Sequence, residues 1–374
     1  MRPLTVLQAV AAGVAAARLA RGRNRPAPFV PGHSGPPPQP VSVVIPARDE
    51  ESRIEDCLRP LLAAPDVSEV IVVDDESRDG TAKLAARLGA TVVHGAPLPD
   101  GWVGKQWALH QGVRAAAGPI VVLLDADTRP MPGLCAELVA LLDRFDLVSA
   151  GPRFVCDGVA EQALHASFLA GLVYRFGPIG PAAASPGSLL LNGQCMAFRK
   201  GPMLRAGGFA RVRGHLTDDV ALGRLLAGDG WRIAFRDAGA LLEVDMHESA
   251  ADVWREWGRS IALRDVTGTG RLAADLAVVW LTLALPVARL ATGRPTPLDL
   301  GLLVQRLLLA TALRGSYARP GVGLAISPLL DVPMAARLTW SVLRPLRTWR
   351  GRTYGRPAVR CGAPPRRPDR SAAR

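Results

Sequence analysis

Three short acidic motifs carry the chemistry that this sequence could perform. VVDDESRDGT (72–81) ends an apolar run in the carboxylates Asp74 and Asp75 and continues into a turn rich in Ser, Asp and Gly. LLDADT (123–128) places Asp125 and Asp127 two residues apart after a second apolar run. Hard oxygen donors at that spacing suit Mg²⁺ or Mn²⁺ that also coordinates a diphosphate. TDD (217–219) sets a third carboxylate pair, Asp218 and Asp219, before the helical pattern VALGRLLAG. Each motif alone is equally consistent with acidic side chains that cap a following helix. The histidines at 94, 110, 165, 215 and 247 lack metal-ligand spacing and Cys195 has no evident base partner, so both are read as structural. His247, between a strand pattern and the Trp254 segment, is the one placed to border a substrate site.

The elements that must position these groups read as alternating strands and helices. VSVVIPA (41–47), EVIVVDD (69–75), ATVVHG (90–95) and PIVVLLDAD (119–127) read as strands. Residues 51–64, 79–89 and 104–118 read as helices, the second ended by Gly89. That alternation predicts a parallel α/β sheet. Ligands of such sheets bind beyond the carboxyl ends of the strands, where Asp74, Asp75, Asp125 and Asp127 fall.

In this order, VSVVIPARDE, VVDDESRDGT, GKQWALHQG and VVLLDADT resemble the nucleotide-sugar-binding half of family-2 glycosyltransferases. The resemblance implies the GT-A fold, a Rossmann-like α/β domain with a mostly parallel central sheet. It continues through LNGQCMAFRKGPMLRAGGF (191–209) and LTDDVALGRLL (216–226), covering roughly residues 41–260. PLPDGWVGKQWALHQG (97–112) is most similar to membrane-anchored lipid glycosyltransferases of hopanoid and carotenoid pathways. The resemblance implies that Pro46, Arg48 and Glu50 contact the nucleotide and that Asp75 hydrogen-bonds uracil, which favours a UDP-sugar. It implies Lys105 at the diphosphate, Asp127 as the direct metal ligand, and Asp125 as the other metal-motif carboxylate, nearer the sugar and ribose. It places Asp219 as general base, with Asp218 beside it partly capping the helix. Gly193 then lies beneath the acceptor, where backbone must approach closely, and Gln194 is within reach of sugar hydroxyls.

Processive members follow the base with Gln-x-x-Arg-Trp, whereas this chain has EWGRS (256–260) and retains only Arg259. That guanidinium could still grip a diphosphate, but the missing Gln and Trp point to transfer of a single sugar. Trp254 and Trp257, three apart on one helix face, read as membrane-interface or core packing. Two rival functions stand beside this one. Transfer to a polyprenyl phosphate would use Arg259 and Arg264 as cations, and a catalytically silent nucleotide-sugar-binding membrane protein would explain the eroded motif.

The 374 residues are 49% hydrophobic and 21% charged, which excludes a disulfide miniprotein, a disordered chain and a collagen repeat. Net charge is +12, yet residues 1–40 hold five Arg and no acid, and residues 344–374 hold ten Arg and one Asp. The body between them is near-neutral, which suits an anionic membrane surface and argues against a nucleic-acid partner. Five Cys without a CxxC pair suggest a reducing compartment. The apolar run 3–20 followed by Arg21, Arg23 and Arg25 predicts an anchor with its downstream side in the cytoplasm. Residues 26–40 are Pro-rich and too poor in packing side chains to be more than a linker.

Beyond residue 271, the run 272–291 reads as a membrane helix and 298–313 as a shorter one. In 322–343, Pro328, Asp331, Pro333 and Arg337 favour an interfacial helix, and two crossings return the tail to the cytoplasm. The expected organisation is an anchor (1–22), a linker (23–40), a GT-A domain (41–271), membrane or interfacial helices (272–343) and an Arg-rich disordered tail (344–374). The expected activity is inverting, metal-dependent transfer of one sugar, glucose from UDP-glucose. Its acceptor is a lipophilic isoprenoid, carotenoid or hopanoid type, met at the cytoplasmic face of the inner (plasma) membrane.

Overall fold

Strands covered on both faces need apolar side chains at successive positions rather than at alternate ones, and runs of that kind build the centre of the molecule. The computed structural model describes residues 3–30, 32, 37–180, 185–257, 260–345, 348–349 and 352–354. After helix α1 (Pro3–Ala20), strands β1 (Val41–Ala47), β2 (Glu69–Asp74), β3 (Thr91–His94) and β4 (Ile120–Leu124) lie parallel. Helices α2 (Ile54–Leu62), α3 (Thr81–Leu88) and α4 (Gly104–Ala115) connect them. Gly89 ends α3 with φ of 104°, a left-handed cap that glycine adopts freely.

The chain then adds β5 (Thr128–Pro130), α5 (Leu134–Leu141), β6 (Leu147–Gly151), β7 (Arg153–Phe154) and α6 (Val159–Phe176). Strand β8 (Cys195–Arg199), α7 (Lys200–Arg205), α8 (Asp218–Gly228), β9 (Ile233–Asp237) and β10 (Leu242–Val244) follow. Seven strands form one sheet in the order β3-β2-β1-β4-β8-β6-β9, and β5-β10-β7 form a second. Within the seven-stranded sheet, among the described residues, β8 alone opposes its neighbours, running antiparallel to β4 and β6. Because β2 and β3 build outward on one side of β1 and β4 on the other, the order reverses at β1. A crevice opens at such a switch point, beyond the strand ends.

Both sheet faces are covered. Val43, Ile45 and Val122 pack with Ile54 and Leu58 of α2 and Leu138 of α5. Val44, Ile71 and Val121 pack with Leu109 of α4 and Leu222 of α8. Helix α4 presses directly on β1 at Gly112, where a Cβ would meet Val44 at 2.4 Å.

A third core joins α1 and α6 to the helices α9 (Thr269–Ala291) and α11 (Val322–Leu343), with α10 (Pro297–Ala312) alongside. Among the described residues, three helices are long and apolar enough to cross a membrane: Pro3–Asn24, Thr269–Ala291 and Val322–Leu343. The charge at the centre of the bundle is paired. Arg306 of α10 donates to both oxygens of Asp331 at 2.9 and 3.0 Å, and Ser167 of α6 donates to the same carboxylate at 2.7 Å. Asp331 therefore carries its charge into the bundle already neutralised, which removes the argument that this residue disfavours a crossing.

Two expectations about connecting segments are corrected. The Pro-rich stretch is not a bare linker: Phe29 is buried against the sheet core, and its N–H donates to the Asp237 carbonyl at 2.8 Å. Within the tail expected to be disordered, Thr348–Trp349 and Arg352–Thr353 pair as an antiparallel hairpin, while residues 355–374 lie outside the described residues. Element ends also move inward. Helix α2 starts at Ile54, and β4 stops at Leu124, one residue before its first carboxylate.

Candidate active site

The ends of β1 and β2 are laced together by two unusual turns. Asp49 and Glu76 hold left-handed backbone at φ of 54° and 58°, which costs energy for residues with a Cβ and is concentrated at functional turns. The Arg78 N–H donates to Asp49 Oδ1 at 2.7 Å, and the Asp49 N–H donates to Ser77 Oγ at 3.1 Å. Arg48 donates to the Asp75 carbonyl at 2.5 Å and lies 4.0 Å from the Asp75 carboxylate. Asp74 instead closes its own turn, accepting the Ser77 N–H at 3.3 Å.

The β4 end is registered against the loop before β8. The Asp125 N–H donates to the Gln194 carbonyl at 3.0 Å, and one residue earlier Gly193 donates its N–H to Asp219 Oδ2 at 2.8 Å. The Val220 N–H holds Asp219 Oδ1 at 2.7 Å. Strand β10 pairs with β5, and the Asp245 N–H meets the Asp127 carbonyl at 3.1 Å. The acidic strand ends, the Gly193 loop and the start of α8 are thereby locked into one arrangement.

Pro46, Arg48, Glu50, Asp75, Lys105, Asp125, Asp127, Gly193, Asp218 and Asp219 all line a single cavity of about 930 Å³. Arg259 lies outside the described residues. Lys105 Nζ sits 2.7 and 2.8 Å from the two oxygens of Asp125. Burial opposes its charge, but Asp125 and Asp218 overcome that and hold its ammonium more firmly protonated than usual. In this state Lys105 thus pairs with Asp125. Glu50 accepts from Arg53 at 2.7 Å.

Burial, reinforced by Asp125 and Glu50, lifts the Asp127 carboxyl to about 7, and its buried Oδ1 has no hydrogen-bond partner. Burial and the adjacent Asp218 lift Asp219 to about 7. Asp218 is itself buried, with Oδ2 unpartnered and its pKa raised, chiefly by burial. A carboxylate near neutrality in a closed site is suited to proton transfer or cation binding.

His247, expected to border a substrate site, and Trp257, expected at the membrane interface or in core packing, both line this cavity. His247 is buried, both ring nitrogens lack partners, and burial depresses its pKa, so its imidazole is neutral. Its signal was position: it lies three residues beyond β10, as the acidic groups lie just beyond β2 and β4. Trp257 stacks on His165 at 4.0 Å between ring centroids with 14° between planes, and borders the cavity, whereas Trp254 is exposed. The same cavity is also lined by Leu169, Leu172 and Val173 of α6, by Leu309 and Ala312 of α10, and by Leu313.

A largely parallel sheet whose switch point opens on clustered carboxylates defines a GT-A glycosyltransferase. The family model described as glycosyltransferase like family 2 matches residues 37–263, and the chain belongs to that family. It is 29% identical over 192 residues to a 4,4'-diaponeurosporenoate glycosyltransferase of Staphylococcus haemolyticus, a match that spans 50% of this chain and 51% of that protein. It is 41% identical over 88 residues to the enzyme of that name from Staphylococcus aureus strain USA300, across 23% of this chain and 24% of the other. The chain thus spans about half or less of the length of these curated relatives. A mannosyltransferase from Pyrobaculum calidifontis, solved with GDP-Man and Mn²⁺, shares the fold at a TM-score of 0.53 and 21% identity, over 91% of this chain and 98% of that one.

Proposed function

We propose that this enzyme moves one sugar, glucose from UDP-glucose, onto a lipophilic acceptor of the carotenoid-acid or related isoprenoid type, with inversion, at the cytoplasmic face of the membrane. The observation that carries this reading is one continuous cavity lined both by Asp75, Asp127 and Asp219 and by the apolar side chains of α6 and α10. The first set suits a nucleotide sugar and the second a hydrocarbon chain. Helix α10 presents Val304, Leu307 and Leu308 to its outside and Leu309 to the cavity, so a bilayer lipid would meet apolar surface on both sides of the helix. The Staphylococcus relatives named for a carotenoid acid support the same acceptor class.

In this reading Asp75 accepts the uracil imide N–H, and Lys105 turns its donors from Asp125 to the diphosphate. Asp219, its attitude set by the Gly193 and Val220 N–H groups, takes the proton of an acceptor hydroxyl as that oxygen bonds to the anomeric carbon. The bond from that carbon to the phosphate oxygen breaks, and UDP leaves with the electron pair. A carboxylic acid acceptor arrives ionised, so Asp219 then orients it without taking a proton.

The residues fit a divalent cation. Asp127 offers a buried, unpartnered oxygen, Asp125 a second carboxylate and His247 a neutral imidazole in the same cavity. Among the described residues no three such side chains are grouped closely enough to hold a metal alone, so the diphosphate oxygens would complete its shell. Asp127, Asp125 and His247 would hold Mg²⁺ or Mn²⁺, whose charge would offset that developing on the departing diphosphate.

The test is transfer by the purified full chain in liposomes supplied with labelled UDP-glucose and an apocarotenoid acid. One hexose on the acid, lost on chelation of divalent metal, is expected. Label on an added polyprenyl phosphate instead, or UDP-glucose binding without turnover, would overturn the reading.

A further inference from the structure

Asp75 already has a cationic occupant. Arg352, on the hairpin β11 (Thr348–Trp349) and β12 (Arg352–Thr353), directs Nη1 to the two oxygens of Asp75 at 2.9 and 2.7 Å, and its Nη2 to Glu76. Two residues on, the Tyr354 hydroxyl accepts the Gly104 N–H at 3.3 Å. Gly104 opens α4, and the first N–H groups of a helix have no partner within it. The packing leaves no slack: a Cβ on Gly104 would fall 2.5 Å from Asp75 and 2.7 Å from Arg352. One arm of the chain therefore satisfies both a strand-end carboxylate and the helix N–H immediately before Lys105.

A guanidinium nitrogen that bridges both oxygens of a carboxylate takes lone pairs a nucleobase N–H would use. We propose that the arm holding Arg352 and Tyr354 is a built-in plug on the nucleobase subsite, which a uridine nucleotide must displace in order to bind. The inference rests on the reading of Asp75 as the uracil-binding carboxylate. It makes donor affinity a competition between nucleotide and tail, so the enzyme's own C-terminal arm sets the concentration at which it responds to donor. Arg352 and Tyr354 lie outside the sheet and helix-bundle cores, so their substitution leaves the packed interior intact.

Titration of UDP into the full-length protein tests this. Arg352→Ala is expected to tighten UDP binding about ten-fold, the scale of one part-buried charge-assisted pair, with a smaller gain for Tyr354→Phe. Weaker or unchanged binding in Arg352→Ala overturns the plug, because a lid that completes the donor site would lose affinity instead. In the Arg352→Ala background, Asp75→Asn separates the two ideas. If it weakens UDP while Arg352→Ala had no effect, the uracil role stands and the plug fails; if it has no effect, both fail. In the wild type, UDP is expected to speed tryptic cleavage after Arg352, and protection by UDP would contradict displacement.

Discussion

Gly193 donates its backbone N–H to Asp219 Oδ2 at 2.8 Å, and its missing side chain is what lets the carboxylate come so near. A Cβ at Gly193 would lie 3.0 Å from Asp219 Cβ and 3.3 Å from its carboxylate, so the Asp219 side chain would have to shift by a few tenths of an ångström. Gly193→Ala is therefore expected to turn the Asp219 carboxylate and lower kcat about 10- to 100-fold, the usual effect of misplacing a reacting group by a fraction of an ångström to one ångström. KM for UDP-glucose should stay near the wild-type value. Steady-state kinetics with each substrate varied in turn would check it.

Asp219 can act as a base only when ionised, and its pKa of about 7 places the acid limb of the rate profile there. Asp218 is the second cause of that elevation after burial, so Asp218→Asn should move the limb to lower pH, by about one unit. With a hydroxyl acceptor, Asp219→Asn should cost about 10²- to 10⁴-fold in kcat. With a carboxylic acid acceptor it should spare most of the activity. Loss of turnover with both acceptor types would rule out the merely orienting role.

Burial, with Asp125 and Glu50 beside it, lifts the Asp127 carboxyl to about 7, well above the usual carboxylate range, so the folded state binds a proton that the unfolded state has already released. Stability contributed by the protonated form is present at low pH and is lost as pH rises across that window. The metal-free enzyme should melt at a higher temperature near pH 5 than near pH 7.5, Asp127 and Asp219 both acting in that direction. Asp127→Asn should raise the metal-free Tm at the higher pH by about 2 °C. Mn²⁺ is expected to raise the wild-type Tm further, and Asp127→Asn should remove that rise. Thermal unfolding in detergent with and without Mn²⁺ reads both effects.

The Arg306–Asp331 pair is inaccessible to solvent on both sides. Removing one partner strands the other charge, so Arg306→Met should destabilise the helical bundle by about 3–5 kcal/mol. Arg306→Met combined with Asp331→Leu should recover most of that loss. The same melting assay distinguishes a paired charge from two independently needed residues.

Much of the catalytic half was legible because its signals are local. A strand buried on both faces has to be written as an uninterrupted Val/Ile/Leu run, so VSVVIPA, EVIVVD and IVVLL showed both the strands and the acidic ends that follow. Gly89 showed a helix stop for an equally local reason, its positive φ. The features that were missed depend on partners distant in sequence. Nothing near Phe29 says that Asp237 will take its N–H, and nothing near Asp331 names Arg306 as its counter-ion. Trp257 became a cavity residue only when α6 was in place. Asp75 and Arg352 are 277 residues apart, and a tail rich in Arg and Pro gave no periodic pattern from which a docked hairpin could be read.

The account turns on the apolar side of the cavity being the seat of the acceptor chain, and Leu309→Trp tests that most directly. The measurement is kcat/KM for two acceptors with the same polar end, one long-chain and one short, beside UDP affinity. The expected result is at least a ten-fold loss with the long acceptor only, while the short acceptor and UDP behave as in the wild type. Equal effects on both acceptors, or none on either, would place the lipid elsewhere and contradict the account.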